Sequence, residues 1–295
     1  MKQLPSDGRP TTGGVLSASK LFAISDLHVG YSENRAVVEG LRPESDDDWL
    51  IVAGDVGAVF DDVRWALTLL SRRFSKVVWT PGNHELWTLP ADPVQLRGEQ
   101  RYRGLVEMCR ELRVLTPEDD YAVWEGCGGP VTIAPLFVLY DYSFRVAGTS
   151  KQESLQRAFD VGVVCADEKS LFPDPYPSRE AWCWARVELS EKRLAACDPD
   201  LGTVLVNHFP LVRERTAILR HPEFAQWCGT ERTADWHIRF RAAVVVFGHL
   251  HIPGTTWNHG VRFEEVSLGY PRSWGPRAAC RRVLQPVFAD PDPAR

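Results

Sequence analysis

The stretch KVVWTPGNHELWT, residues 76–88, joins an apolar run directly to a polar cluster. Val77, Val78 and Trp79 read as a buried strand, Pro81-Gly82 as the turn that ends it, and Asn83, His84 and Glu85 as groups delivered just beyond its carboxyl end. Alone, a Gly-Asn turn beside a histidine is common. The same grammar, however, recurs along the chain. "KLFAIS" (20–25) runs into Asp26-Leu27-His28, "WLIVA" (49–53) into Gly54-Asp55, "TVLV" (203–206) into Asn207-His208, and "AVVVF" (243–247) into Gly248-His249-Leu250-His251.

Helix-like segments separate these strands. Residues 61–73 place Val63, Ala66, Leu67 and Leu70 at helical spacing, and 98–113 and 178–197 are further helical candidates. Strands alternating with helices imply a layered α/β architecture. In open α/β sheets, ligands bind beyond the carboxyl ends of the strands. Five polar strand ends therefore point to one converging site.

Residues 139–178 are rich in Pro, Tyr and polar side chains and weak in periodicity, and read as an excursion over that site. Residues 255–270 read as a hairpin turning at Asn258-His259-Gly260. We expect one domain over 20–284, a flexible leader over 1–19 and a frayed tail over 285–295, where the composition turns polar and Pro-rich.

Composition removes several function classes. The net charge of −5 and the scattered arginines argue against nucleic acid as a partner, since phosphate-backbone binding rests on concentrated positive charge. No apolar stretch approaches membrane-spanning length, so no membrane partner is expected. Seven cysteines, an odd number without a CxxC pair, fit a reducing compartment and a cytoplasmic protein. His221, His237 and His259 fall outside the strand-end pattern and read as structural or surface groups.

The chemistry of the strand ends is specific. Asp26, Asp55 and Asn83 offer oxygen, while His28, His84, His208, His249 and His251 offer imidazole nitrogen. Such a set suits a hard to borderline divalent metal such as Mn, Fe, Co or Zn, whereas soft metals would want thiolates. It also exceeds what one four-coordinate zinc needs, and two metals sharing a bridging carboxylate would use it fully.

The ordered motifs D-x-H, G-D, G-N-H-E, a lone strand-end H and G-H-x-H resemble the calcineurin-like metallophosphoesterase superfamily. Here they are Asp26-Leu27-His28, Gly54-Asp55, Gly82-Asn83-His84-Glu85, His208 and Gly248-His249-Leu250-His251. The resemblance implies a four-layer αββα sandwich, in which two mixed β-sheets are flanked by helices. It also implies a dinuclear metal-dependent phosphoesterase that hydrolyses a phosphate ester by attack of metal-bound hydroxide, with Mn or Fe as the leading metals. Asp26, His28 and His251 would hold one ion and Asn83, His208 and His249 the other, with Asp55 bridging. His84 would face the substrate as acid or phosphoryl clamp, with Glu85 orienting its ring.

The chain departs from the protein phosphatases of that superfamily: "GDVGAVF" and "PGNHE" lack their arginine clamps. Longer stretches, including "LYDYSF" and "GVRFEEVSLGYPR", resemble an actinobacterial branch that cleaves phosphopantetheine from carrier proteins. The implied lead substrate is therefore a phosphodiester of that kind. The alternative is a phosphomonoester on a nucleoside-like or other small phosphorylated metabolite, and a third reading is an inactive scaffold of the same fold. Asp141, Tyr142 and Tyr270 are expected to line the substrate pocket.

Overall fold

Strands that are apolar at every position need cover on both faces, and a stack of two sheets with outer helices provides it here. The computed structural model describes residues 19–274 and 284–288; the expected leader, apart from Ser19, and residues 289–295 lie outside these limits. The strands are β1 (Leu21–Ile24), β2 (Trp49–Val52), β3 (Lys76–Trp79), β4 (Ala122–Trp124), β5 (Val131–Pro135), β6 (Gly202–Val206), β7 (Ala242–Phe247), β8 (Gly254–Asn258), β9 (Val261–Glu265) and β10 (Gln285–Pro286). The helices are α1 (Ser32–Gly40), α2 (Phe60–Ser71), α3 (Asn83–Leu86), α4 (Gly98–Glu111), α5 (Lys151–Asp160), α6 (Asp167–Ser170), α7 (Arg179–Ala195), α8 (Trp236–Arg239) and α9 (Pro271–Trp274).

One sheet has the order β10-β1-β2-β3 and the other β4-β5-β6-β7-β9-β8. In the first, β1, β2 and β3 run parallel and β10 joins antiparallel. In the second, β5, β6, β7 and β9 are parallel, with β4 and β8 antiparallel at the edges. Both sheets are thus mixed.

Alternation along the strands divides the core. Leu21, Ala23, Ile51, Ala53 and Val78 form one buried cluster with Ile133, Val204, Val206, Val244 and Val246, which fills the space between the sheets. The intervening Phe22, Ile24, Leu50, Val52, Val77 and Trp79 join Val63, Leu67 and Leu70 of α2 and Tyr102 and Leu105 of α4. Leu205, Val245 and Phe263 belong to that second cluster with Trp182, Val187 and Leu194 of α7 and with Trp236 of α8. Each fully buried side chain of this size is worth about 1.5–3 kcal/mol. Face-to-face burial therefore fixes the strands, and the parallel strands of both sheets end in loops that carry the site.

Three features depart from the sequence reading. Strands β4 and β5 were not among its candidates, because Thr132 and Pro135 interrupt an otherwise apolar run. Residue 285 opens not a frayed tail but β10, which pairs with β1 (Phe22↔Pro286) between buried Leu284 and Val287. The 139–178 excursion carries two helices. Its α5 starts with a capping box, in which the Ser150 hydroxyl accepts from the Glu153 N–H and the Glu153 carboxylate from the Ser150 N–H. The expected hairpin is β8–β9, with His259 (φ 48°) and Gly260 (φ 79°) at its turn.

Candidate metal centre

The strand-end loops adopt an uncommon backbone. Asp26 (φ 54°), His28 (41°), Asp55 (54°), His249 (70°) and His251 (55°) are all left-handed, a region that few non-glycine residues occupy. Strain of this kind collects where surrounding structure holds a functional geometry. The loops also hold one another: Asp26 N–H donates to Gly54 O (2.9 Å), His28 N–H to Asp55 O (3.0 Å) and Gly248 N–H to His208 O (2.9 Å). Two glycines make this closeness possible. A Cβ on Gly82 would overlap the Asp55 carboxylate, and one on Gly248 would overlap the Ser25 hydroxyl and the Asp26 carboxylate.

The side chains converge accordingly. His251 Nε2 lies 2.9 Å from Asp26 Oδ1 and 3.1 Å from His28 Nε2. Asp55 Oδ2 stands between groups, 3.4 Å from His208 Nε2, 3.7 Å from His84 Nε2 and 3.9 Å from His28 Nε2. Ligand atoms of Asp26, His28 and His251 fall within 4.8 Å of one another, as do those of His28, Asp55 and His84, and those of Asp26, Asp55 and His208.

Three further atoms, Asn83 Oδ1, His208 Nε2 and His249 Nε2, are buried without any hydrogen-bond partner. A buried polar atom left so costs about 1–3 kcal/mol, and these are the lone-pair atoms a cation would use. The His208 ring is oriented for this: Nδ1 faces the Ala53 carbonyl at 2.9 Å, which turns Nε2 into the cluster. The oxygen and nitrogen donors, without sulfur, fit divalent ions.

The electrostatics make the same demand. Asp26 and Asp55 are both buried. Burial works to raise their pKa values, but His251 and His208 outweigh it at Asp26, and His208 and His84 at Asp55, holding both below the carboxylate range. Burial pushes the His28 and His249 imidazoles down to about 3, helped by His84 and His208 respectively. At His208 burial is outweighed by Asp55 and Asp26, which drive it up to about 10. The two carboxylates thus draw positive charge onto His208 and, through Asp26, onto His251, whose pKa is also raised, while His28 and His249 stay neutral, the form in which histidine ligates metal.

His84 lies at the rim, its side chain 13% exposed against 3% for His28 and 0% for His208. Its ring rests on Trp87 (centroids 3.7 Å apart), and its Nε2 is 3.4 Å from the Tyr270 hydroxyl. Tyr270 in turn stacks on His28 at 4.5 Å.

Glu85 does not orient the His84 ring. Its carboxylate is fully buried and accepts from the backbone N–H groups of Asp55 (3.0 Å), Val56 (2.8 Å) and Gly82 (3.0 Å), clamping two strand-end loops together. Neighbours in a helical turn such as α3 face different directions, which explains the misreading. Tyr142 and Asp141 are held by hydrogen bonds within the excursion and its neighbours. The Tyr142 side chain is wholly buried, its hydroxyl bonded to Glu168 and Arg179. Asp141 is engaged by Ser143, Trp184 and Thr230.

Residues outside every motif also support the centre. Ser267 Oγ bonds Asp26 Oδ2 at 2.7 Å and also contacts the buried Glu265, and Asp167 holds the Asn83 amide. No local pattern marks Asp167, whereas Ser25, Glu265 and Ser267 lie at or near strand ends.

Comparisons with known proteins agree with this geometry. The family model described as calcineurin-like phosphoesterase matches residues 19–253. The chain is 54% identical, over 285 residues, to the [acyl-carrier-protein] phosphodiesterase PptH of Mycobacterium tuberculosis, covering 96% of this chain and 87% of that protein. The crystal structure of phosphopantetheinyl hydrolase (PptH) from the same organism superposes with a TM-score of 0.90 at 54% identity, over 95% of this chain and 99% of that one.

Proposed function

The chain belongs to the calcineurin-like phosphoesterase family and is a metal-dependent phosphoric ester hydrolase, and from that premise we propose that it hydrolyses the phosphodiester joining phosphopantetheine to a carrier protein. The observation that carries the substrate class is 54% identity along 96% of the chain to an acyl-carrier-protein phosphodiesterase. At the rim, His84 is flanked by His28, Trp87 and Tyr270, with Arg272 held over the Tyr270 ring. We place the enzyme in the cytoplasm, in keeping with seven cysteines, an odd number without a CxxC pair.

Asp26, His28 and His251 would hold one divalent ion and Asn83, His208 and His249 the other, with Asp55 shared; Mn and Fe lead, and Zn and Co fit the same donors. Such a pair supplies positive charge to the phosphoryl oxygens and an activated water. The remaining tasks fall to the chain. His84 Nε2 delivers a proton to the leaving oxygen, a step typically worth about 10²–10⁴-fold. Trp87 holds the His84 ring in place, and the Tyr270 hydroxyl offers a second donor beside it.

The test presents holo-carrier protein, nucleoside monophosphates and cyclic nucleotides to the Mn²⁺-loaded enzyme. Apo-carrier protein and phosphopantetheine are the expected products. Turnover confined to nucleoside monophosphates would replace this reading with the monoesterase one.

A further inference from the structure

We infer that Asp167, from the excursion, is a positioning residue that sets which atom of Asn83 faces the metal centre; this rests on the proposed metal ligation. Asp167 is fully buried at the start of α6, far from Asn83 in sequence. Its Oδ1 accepts from Asn83 Nδ2 at 2.9 Å and from Trp87 Nε1 at 2.6 Å. Because Oδ1 takes the Trp87 indole N–H, it stands toward Asn83 as an acceptor, and the amide meets it with its NH₂. The carbonyl Oδ1 is thereby turned the other way, where it lies buried and unpartnered among protein atoms. Without Asp167 nothing in the described contacts of the Asn83 side chain would distinguish oxygen from nitrogen at that spot, and an NH₂ group cannot ligate a cation.

The second bond extends the effect. Trp87 carries the His84 ring, so one carboxylate oxygen braces a ligand and the wall behind the proposed acid. The excursion is built to keep Asp167 in place. Arg179 Nη2 donates to the Asp167 carbonyl at 2.6 Å, and neighbouring Glu168 bonds Tyr142, Trp227 and Arg179. Leu171 bridges to Trp87, and Thr88 N–H donates to Ser170 O at 3.0 Å. The segment thus docks on the GNHELW loop as a brace.

The test counts metal ions per chain and measures their affinities by chelator competition, without reference to turnover. Wild type should hold two ions; fewer would defeat the metal reading itself. Given two, Asp167→Leu should bind one of them about 10–100-fold more weakly, the usual effect of losing a ligand's partner. Asp167→Asn, which keeps an acceptor oxygen, should retain both. A folded Asp167→Leu with wild-type affinities, or an Asp167→Asn that loses the ion equally, overturns the inference. Should Asp167→Leu fail to fold, Asn83→Asp opposes two carboxylates and should weaken the same ion. Adding Asp167→Asn should restore it, and no restoration counts against the role.

Discussion

His84 and His208 separate the two kinds of work in the site. His208 is wholly buried with an unpartnered Nε2, whereas His84 opens to the rim beside Tyr270. His208→Ala should therefore drop one ion, while His84→Ala should keep both and lose about 10²–10⁴-fold in turnover. The deficit should shrink on a substrate with an activated leaving group, read by comparing kcat on the two esters; equal deficits would remove the acid role. The clustering of Asp26, His28, Asp55, Asn83, His208, His249 and His251 was legible because each follows one of five strands within a few residues. Asp167 was not, because its meaning lies in a contact 84 residues away. Glu85 was seen but given the wrong partner, since adjacency in sequence says nothing about which loop a buried carboxylate clamps.

Among the elements, the parallel strands and longer helices were readable from apolar runs and helical spacing. Those whose pattern is short were not: β10 has two residues, and α6 has four. The excursion showed little periodicity because its helices are held by specific polar bonds as much as by an apolar stripe. One such bond sits between the longer helices. Glu118 accepts from Arg186 of α7 (2.6 Å) and Tyr102 of α4 (2.8 Å). Burial opposes its ionisation, but Arg186 and the Tyr102 hydrogen bond prevail and hold its pKa below the ordinary value. A carboxyl depressed in the folded state stabilises above its unfolded pKa of about 4.3, and that contribution fades as pH falls through the lower folded value. Glu118→Gln should thus cost about 1.5–3 kcal/mol at neutral pH. The gap from wild type should narrow below pH 4 in denaturant titrations. A gap independent of pH would contradict the charged pair.

At the scale of the molecule, two stacked sheets aim their strand ends at one cluster, where Asn83 Oδ1 and His249 Nε2 lie buried without a partner. Cations should therefore stabilise the whole fold. Binding at 100 times Kd contributes about 2.7 kcal/mol per site. Chelator-dialysed protein should melt lower by scanning fluorimetry and recover with Mn²⁺; an unchanged melting temperature would mean the cluster holds no ion in the native state. No helix among the described residues is long and apolar enough to cross a membrane. The central claim is water attack on the phosphorus of a carrier-protein diester. Its most direct test is the mass of the products formed from holo-carrier protein in ¹⁸O-water by the metal-loaded enzyme. The account predicts one heavy oxygen in the phosphate of released phosphopantetheine and an unlabelled serine on the apo-protein. Label on the serine, a dehydrated residue in its place, or unchanged holo-protein would contradict it.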